Sequence, residues 1–371
     1  MFALNPTHSL NEPSTLSVLL CADQHAVLRL GPMIRRLAIG LLDQAVEVRL
    51  LAYGHDLQEM ATGSLEVIQH HSSPWPFARM QMRRLLDTIA ERSPTVIHAL
   101  SPTIGLLTHA IAEEVEAEWV VHLSSADECR LAANSGLMAD AWITGSNFLR
   151  DLAVNPCRLP QGSVEVIRPG VPVGTSLACF ADDEQEPTIL CTAPFIRESG
   201  VDRLLTAMKL LKNRGTNPLL FLWGEGPLEG AHRAYVKQHE LSAQVTFARP
   251  IGEAVDAMDG ADILVHTETQ RAICMDVLQA MGRGLAVVSP IDVGCDSTSP
   301  GKTAFAWDPT TAETLADVLQ RVIQDRDGAR DMAQRGVDHI RAQHSVSGMA
   351  EQVARLYHRL VSQHATIRLK E

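Results

Sequence analysis

Short, continuous apolar runs alternate with stretches of helical periodicity along the chain, and the alternation starts again near the middle. In the first half, Leu16–Ala22, Val46–Ala52 and Trp119–Leu123 are runs that predict strands. Apolar residues at positions 33, 34, 37, 38, 41 and 42 predict a helix between the first two runs. Strands that alternate with helices form parallel βαβ units, and strands without a polar face are covered by helices on both sides. The pattern therefore predicts an α/β fold.

A polar, acidic segment at positions 181–187 separates the two halves and is typical of an exposed linker. After it, Thr188–Thr192 and Leu219–Trp223 predict strands, and Val201–Asn213 predicts a helix. A length of 371 residues suits two domains. We therefore predict two Rossmann-like, doubly wound domains that face each other across a cleft, where such domains bind their ligands.

The predicted boundaries follow from this pattern. They are an N-terminal tail (1–14), a first Rossmann-like domain (15–172), a linker (173–187), a second Rossmann-like domain (188–345), and a C-terminal helix and tail (346–371).

Composition excludes several classes of protein. The net charge of −12 argues against broad nucleic-acid binding, which needs a basic face. Seven cysteines form no Cys-x-x-Cys pair, and the histidines form no metal-binding motif, so we expect free thiols and no metal site. No apolar stretch approaches eighteen residues, and the N-terminus does not resemble a signal peptide. We therefore expect a cytoplasmic protein.

A glycine cluster, Gly224-Glu225-Gly226-Pro227, follows one predicted strand and opens a helix. A dinucleotide-binding turn would look similar, but its third glycine would come one residue earlier than Gly230, and no acidic residue ends the next strand. A tight turn with proline in the first helical turn is the plainer interpretation.

Together with its neighbours, this cluster resembles the second domain of family-4 (group 1) glycosyltransferases, which have the GT-B fold. Val166–Val171 is similar to the segment that ends the family's first domain, and Glu198–Leu205 is similar to its Glu-Lys-Gly-x-Asp-x-Leu-Leu motif. Ala280–Ser289 resembles Ala-Met-Ala-x-Gly-x-Pro-Val-Val-Ser. The resemblance extends over positions 160–350 and covers the first domain in outline.

The resemblance implies retaining, metal-independent transfer of a hexose from a nucleoside diphosphate (NDP) sugar. It also implies that 15–172 is the acceptor-side domain, that 188–345 is the nucleotide-sugar-side domain, and that the C-terminal helix packs back on the first domain. In the family, an Arg and a Lys neutralise the leaving diphosphate, and two glutamates eight residues apart hold the sugar and the ribose. These four positions fall on Pro194, Ser199, Arg271 and Gln279. All four residue types have changed, which puts ordinary catalysis in doubt because one lost transition-state contact costs about 10²–10³ in rate.

Positions of the first domain also differ from the resemblance. The glycine pair that lets the backbone approach the donor phosphate falls near Leu28-Arg29, and a Gly-His pair falls on Ala45-Val46. The histidine near the sugar falls on Ser124, although His122 lies two residues away.

We accordingly predict that the donor diphosphate lies against Ile196–Val201 and that Gln279 contacts the ribose. The predicted nucleotide-sugar-binding residues are Arg197, Ser199, Gly224, Arg271 and Gln279, and the catalytic candidates are Arg271 and Ser124. Further candidates in the same segments are the cations Arg203 and Lys302 and the carboxylates Glu268 and Asp276. A solvated surface cation, an exposed loop or a helix N-terminal charge is the alternative interpretation of each.

Other functions stay open at this point. The chain is either a hexosyltransferase acting on a carbohydrate or glycolipid acceptor, or an inactive relative that serves a protein partner. An epimerase on the same fold would need an acid/base pair, for which we find no convincing candidates. The basic, amphipathic stretch Phe77–Leu86 predicts either a packed helix or peripheral contact with the inner face of a membrane. We expect no cofactor other than the donor substrate.

Overall fold

The computed structural model describes residues 16–53, 65–70, 78–250, 254–291 and 296–368, which form two parallel sheets with helices between their strands. The elements of the first domain are β1 (Ser17–Asp23), α1 (Gln24–Asp43), β2 (Glu47–Tyr53), β3 (Glu66–His70), α2 (Ala78–Ala90), β4 (Val96–Ala99), α3 (Gly105–Val115), β5 (Glu118–Leu123), α4 (Ala126–Ser135), β6 (Ala141–Thr144), α5 (Asn147–Val154) and β7 (Val164–Val166).

The second domain repeats the alternation. Its elements, with the helices that follow them, are β8 (Thr188–Thr192), α6 (Val201–Asn213), β9 (Leu219–Trp223), α7 (Glu229–Gln238), β10 (Val245–Ala248), α8 (Val255–Met258), β11 (Ile263–Val265), α9 (Met275–Arg283), β12 (Ala286–Pro290), β13 (Phe305–Trp307), α10 (Ala312–Gln324), α11 (Arg326–Gln343) and α12 (Val346–Arg368).

Both sheets are doubly wound. The first has the strand order β3-β2-β1-β4-β5-β6-β7, and the second has β10-β9-β8-β11-β12-β13. The paired strands of both described sheets are parallel, and the order reverses between β1 and β4 in one sheet and between β8 and β11 in the other. A crevice opens at such a reversal, outside the carboxyl ends of the strands. The predicted fold class is confirmed, because this pair of Rossmann-like domains is the GT-B fold.

The first helix is longer than the apolar pattern predicts. It begins at Gln24 rather than near position 33, because Asp23 caps it: its Oδ1 accepts the Ala26 N–H at 2.6 Å. The helix then continues through Pro32, which lacks the N–H of a normal helical residue. A helix that starts directly after β1 occupies the carboxyl edge of that strand, where the resemblance predicts a glycine loop.

The segment between the domains is attached to the second one. Cys179 and Phe180 are buried in the second core, and the Phe180 N–H donates to Asp262 Oδ1 at 2.7 Å. The acidic residues that follow are exposed, yet Asp183 forms ion pairs with Arg326 and Arg330 of α11. Because of these contacts, the acidic segment lies along the second domain.

The C-terminal helix α12 lies against the first domain. A Cβ added at Gly40 of α1 would lie 2.6 Å from the Ala350 Cβ, so α1 and α12 approach closely. The Tyr357 hydroxyl lies 2.7 Å from His98 Nδ1 on β4, and both side chains are buried. The chain thus crosses between the domains twice, near positions 167–174 and again near 343–347.

Candidate functional site

The reversal of strand order between β8 and β11 brings two loops together at one edge of the second sheet. One loop follows β8 and ends in a single 3-10 turn, Arg197–Ser199, before α6. The other follows β11 and leads into α9. These two loops contain most of the residues that the sequence predicts for donor binding.

Gly224 and Gly226 fix the position of the loop after β8. A Cβ added at Gly224 would lie 2.0 Å from the Ala193 carbonyl oxygen, and one added at Gly226 would lie 2.7 Å from the Phe195 oxygen. The Phe195 N–H donates to Glu225 O, and the Leu228 N–H donates to Phe195 O, each at 2.9 Å. Position 224, a predicted binding residue, therefore requires glycine because the protein's own backbone occupies the space that a side chain would need.

Arg203 places a guanidinium group between the two loops. Gly200, with a φ of +73°, begins α6, and a Cβ added there would lie 2.8 Å from Thr267 O and 3.4 Å from Arg203 Nη1. Thr267 belongs to the loop after β11. The Arg203 Nη1 atom is buried and has no hydrogen-bond partner among the residues that the structure describes. A buried cationic donor without a partner is costly unless a ligand or water satisfies it.

Gln279 presents a second unsatisfied group. It lies on α9 and is 1% exposed, and within the described part of the chain neither its amide oxygen nor its amide nitrogen has a partner. A side-chain amide can both donate and accept, which suits a pair of sugar hydroxyls. The residue that the sequence predicts for ribose contact is thus buried with its hydrogen-bonding capacity unused by these residues.

Glu268 is half-buried at the carboxyl end of β11, instead of lying in an exposed loop. Burial raises the pKa of this carboxyl group, the nearby Arg29 lowers it, and Asp276 raises it. Arg29 belongs to α1 of the first domain, so Glu268 faces across the cleft. The sequence analysis does not propose a function for Arg29. Its position at the predicted glycine pair is the signal that could have identified it.

Arg197 lies away from the strand reversal, and the Ser199 hydroxyl is hydrogen-bonded within its own turn. Arg197 is exposed and lines a cavity of about 260 Å³ between α6 and α7, together with His232 and Tyr235. The buried Ser199 hydroxyl donates to the Ile196 carbonyl oxygen at 2.8 Å. Their predicted contact with the diphosphate stays a prediction.

The two catalytic candidates come from opposite domains and lie at one contact. The Ser124 hydroxyl is buried and donates to Glu128 Oε2 at 2.8 Å. Arg271 is exposed, and its guanidinium carbon lies 5.3 Å from the centroid of the Phe148 ring, which is a cation–π distance. The Ser124 hydroxyl is therefore hydrogen-bonded within the first domain, and the Arg271 guanidinium packs against Phe148 of α5.

The remaining candidates lie on the margin of this site. Asp276 lies in the first turn of α9, where a carboxylate favours the helix dipole. Lys302 is exposed, and its carbonyl oxygen accepts from Arg335 Nε at 2.8 Å.

Two buried histidines lie near the carboxyl ends of strands that border the cleft. His122 lies on β5, and His266 follows β11. Burial lowers the pKa of each to about 4, so both are neutral at pH 7. Neither residue belongs to a metal-binding cluster, since the described residues contain no group of three or more His, Cys, Asp and Glu side chains arranged for an ion.

The described part of the basic, amphipathic stretch, residues 78–86, lies in α2, and Phe77 lies outside the described residues. Leu85 and Ile89 are buried against the first domain, whereas Met80, Arg83 and Arg84 are exposed. None of the helices in the described ranges has the length and apolar character needed to cross a membrane.

The known proteins to which this chain is similar are all glycosyltransferases. Residues 179–339 match the family model described as glycosyl transferases group 1. The chain is 26% identical over 175 residues to the uncharacterized glycosyltransferase YqgM of Bacillus subtilis, a match covering 46% of this chain and 48% of that protein. It is 26% identical over 182 residues to a GDP-mannose-dependent alpha-(1-6)-phosphatidylinositol monomannoside mannosyltransferase of Mycobacterium tuberculosis, covering 46% and 47% of the two chains. The chain spans about half the length of the curated relatives it matches.

Solved structures share the fold over nearly the whole chain. A glycosyltransferase from Rickettsia africae superposes with a TM-score of 0.75 at 13% identity, covering 94% of this chain and 99% of that one. Anabaena HepE in complex with UDP-glucose gives a TM-score of 0.75 at 14% identity, covering 92% and 99%.

Proposed function

We propose that this chain, whose second domain belongs to the group 1 glycosyltransferase family, binds an NDP-sugar at the strand reversal of that domain and transfers its hexose with retention. The observation that carries the proposal is the pair of buried, unsatisfied polar groups, Arg203 Nη1 and the Gln279 amide, at the site where the resemblance predicts the donor. Buried polar groups are nearly always hydrogen-bonded, so such a pair indicates a ligand.

The diphosphate needs positive charge as it leaves. The chain lacks the Arg and Lys that the resemblance expects at positions 194 and 199, where it has Pro194 and Ser199. In the proposal, Arg203 supplies one cation from the second domain. Arg29 supplies another from α1, at the position where a glycine pair would otherwise let the backbone reach the phosphate. A guanidinium group pairs with phosphate oxygens in a bidentate manner, so the charge is delivered without a bound metal ion.

Gln279 and Glu268 hold the sugars in this proposal. The Gln279 amide oxygen accepts from one ribose hydroxyl, and its nitrogen donates to the other. Glu268 accepts a hydrogen bond from a hydroxyl of the transferred hexose, and burial raises the pKa of its carboxyl group. The protein itself positions both side chains, Gln279 on α9 and Glu268 after β11, which limits the ordering that binding requires.

The relatives support a carbohydrate or glycolipid acceptor. The mycobacterial relative is named for a phosphatidylinositol monomannoside, a glycolipid. The exposed arginines of α2 support peripheral contact with an anionic membrane surface, where such an acceptor would lie.

Calorimetric and thermal titration with UDP, GDP, ADP and their common sugar conjugates tests the donor site. We expect one nucleotide to bind, and at 100 times its Kd it should stabilise the protein by about 2.7 kcal/mol. Arg203→Met should weaken that binding at least about tenfold, since one charge-assisted hydrogen bond contributes about 1.5–3 kcal/mol. Arg197→Met should weaken binding less than Arg203→Met, because the Arg197 side chain is exposed. Arg355→Met, at an exposed position of α12, is the matched control and should bind as the wild type does.

Two results would contradict this assignment. A wild-type protein that melts cooperatively and responds to no nucleotide does not use the site for a donor. Equal losses in Arg197→Met and Arg203→Met would mean that the diphosphate lies at the loop as a whole and not at Arg203.

An inactive binding partner of another glycosyltransferase is the second candidate. The observation in its favour is the change at all four positions that the resemblance links to the donor, Pro194, Ser199, Arg271 and Gln279. Nucleotide binding without sugar transfer to any tested acceptor, together with a captured protein partner, would favour this candidate.

A further inference from the structure

Two histidines lie side by side in the interior of the first domain. His98 on β4 pairs in register with Val120 on β5, and His122 follows Val120 by two residues, so both side chains lie on the same face of the sheet. Their ring centroids are 6.1 Å apart, and the ring planes are inclined by 25°. His98 is fully buried, and His122 is 4% exposed. Neither side chain has a role in the donor site proposed above.

The C-terminal helix α12 adds a third polar side chain to this pair. The Tyr357 hydroxyl lies 2.7 Å from His98 Nδ1, and the two rings meet edge-on with centroids 5.9 Å apart. Tyr357 is fully buried as well. We call Tyr357, His98 and His122 the tyrosine–histidine cluster. It extends from α12, over β4, to β5, whose carboxyl end borders the cleft.

Each imidazole of the cluster has one ring nitrogen whose hydrogen-bonding capacity is unused. His98 Nε2 and His122 Nε2 are both buried, and neither has a hydrogen-bond partner in the described ranges of the chain. The two rings therefore do not bond to each other directly. Buried polar atoms are nearly always hydrogen-bonded, to ordered water where the protein supplies no partner. One water spans about 5–6 Å between two heavy atoms, which is compatible with the separation of these rings.

All three side chains of the cluster are neutral at pH 7. Burial lowers the pKa of His98 well below its ordinary value, and the neighbouring His122 lowers it further. Burial also lowers the pKa of His122 to about 4 and raises the pKa of the Tyr357 hydroxyl. A neutral imidazole carries its hydrogen on one nitrogen and accepts at the other, so the partner of one nitrogen determines the role of the other.

The Tyr357 hydroxyl sets the direction of hydrogen bonding in the cluster. Its hydrogen needs an acceptor, and among the described residues His98 Nδ1 lies within reach of it. The His98 hydrogen then lies on Nε2 and points into the space between the two rings. A water that accepts this hydrogen donates one of its own to His122 Nε2, which leaves the His122 hydrogen on Nδ1.

We propose that Tyr357 and His98 are positioning residues for His122, and that they hold its imidazole in the Nδ1–H tautomer through one bridging water. The C-terminal helix thereby determines the hydrogen-bonding state of a side chain near the edge of the cleft. A role of this side chain in sugar transfer rests on the proposed function above, whereas the cluster itself does not.

Long-range ¹H–¹⁵N NMR of the nucleotide-free protein, labelled with ¹⁵N-histidine, tests the cluster directly at pH 7. The spectrum identifies which nitrogen of each imidazole carries the hydrogen, and the signals lost in His98→Gln and in His122→Gln assign the two residues. We expect one tautomer for each, with the hydrogen on Nε2 of His98 and on Nδ1 of His122. A hydrogen on Nδ1 of His98 or on Nε2 of His122 would overturn the proposal.

Tyr357→Phe tests the positioning role, because it removes the hydroxyl and keeps the ring. His98 should then exchange between tautomers, and the His122 signals should change too, although no hydrogen bond between described atoms joins Tyr357 to His122. Tyr235→Phe is the matched control, since its hydroxyl bonds to Thr206 in the second domain at 3.3 Å. His122 signals that are identical in Tyr357→Phe and the wild type contradict positioning. If Tyr357→Phe does not fold, the wild-type tautomers still decide the proposal.

A crystal structure of the wild-type protein tests the bridging step. We expect an ordered water within hydrogen-bonding distance of both His98 Nε2 and His122 Nε2. A direct hydrogen bond between the two rings, or a separate protein partner for each nitrogen, would rule out the bridge.

Titration of the same variants with UDP-, GDP- and ADP-sugars separates the cluster from the donor site. Tyr357→Phe should bind the preferred donor about two- to tenfold more weakly than Tyr235→Phe, the range that one neutral hydrogen bond contributes. Equal affinities would contradict a role of the cluster at the donor site. The expected tautomers in a wild-type protein that binds none of these donors support the cluster and contradict the proposed function.

Discussion

The first helix of each domain ends in the same way, but with different residues. Ala45, the second residue after α1, has a φ of +59°, and Gly215, the second residue after α6, has a φ of +79°. At both ends the following amides bond back to the last turn of the helix. Glycine adopts this left-handed conformation without strain, whereas alanine does not. The resemblance predicts glycine at position 45, so the first domain retains the backbone conformation although the residue has changed.

The same contrast applies to the loops at the carboxyl edges. In the second domain, Gly224 and Gly226 lie against the backbone of 193–195, where no side chain fits. In the first domain, Leu28 and Arg29 lie inside α1, where glycines would have served a ligand. Positions that pack backbone on backbone are fixed by the fold, whereas positions that face a ligand can change without unfolding the chain.

Among the variants that test this comparison, Gly224→Ala should have the largest effect on stability. The added Cβ meets the Ala193 carbonyl oxygen at 2.0 Å, and a backbone atom cannot move aside as a side chain can. We expect a loss of about 3 kcal/mol in the free energy of unfolding, at the upper end of overpacking effects. Urea unfolding followed by circular dichroism measures it. Gly230→Ala is the control. Gly230 is an exposed position of α7, and a Cβ added there meets nothing within 4 Å, so this variant should be as stable as the wild type or more stable.

Acidification should affect both domains through the buried imidazoles His122 and His266. Burial lowers the pKa of each to about 4, below the value of 6.5 in an unfolded chain. Between pH 6.5 and 4 the unfolded state binds these protons and the folded state does not, so the stability present above pH 6.5 is lost as the pH falls to about 4. One such group accounts for about 3 kcal/mol over this range.

His122→Gln isolates the contribution of the first domain to this acid sensitivity. It should flatten the decline of the unfolding free energy between pH 6.5 and 4, as measured by urea titration at several pH values. His358→Gln, at an exposed position on α12, should leave the slope as it is in the wild type. Identical slopes in the two variants would mean that His122 titrates in the folded state as it does in the unfolded chain.

Ala45→Gly and Gly215→Ala sharpen the comparison with the smallest effects. Left-handed alanine is strained by about 1–2 kcal/mol, and the greater freedom of glycine in the unfolded chain offsets about 0.4–1 kcal/mol of this. Ala45→Gly should therefore stabilise the protein by about 1 kcal/mol or less, and Gly215→Ala should destabilise it by a similar amount. Thermal melting of both variants checks the signs, and a loss of stability in Ala45→Gly would contradict the strain at that helix end.

Apolar periodicity predicts those parts of the fold that local burial specifies. The predicted segments 188–192, 201–213 and 219–223 agree with β8, α6 and β9 to the residue. Every residue of strand β3 is at least partly exposed, and β13 is only three residues long, so neither shows an apolar run that predicts a strand. The short helices α4 and α5 begin directly after Ser125 and Ser146, whose side chains cap them, yet each is too short to show a periodic face.

The sequence by itself determined the α/β architecture of this protein, because alternating apolar runs and helical faces record how each element is buried. It also determined the glycines after β9 and the residue types at the donor positions, including Gln279. Only the tertiary structure decided that Arg203 points between two loops, that Arg29 lies near Glu268, and that the Gln279 amide is buried. These contacts join residues from separate elements or separate domains, and their distances depend on how rigid bodies fit together, which no local pattern records.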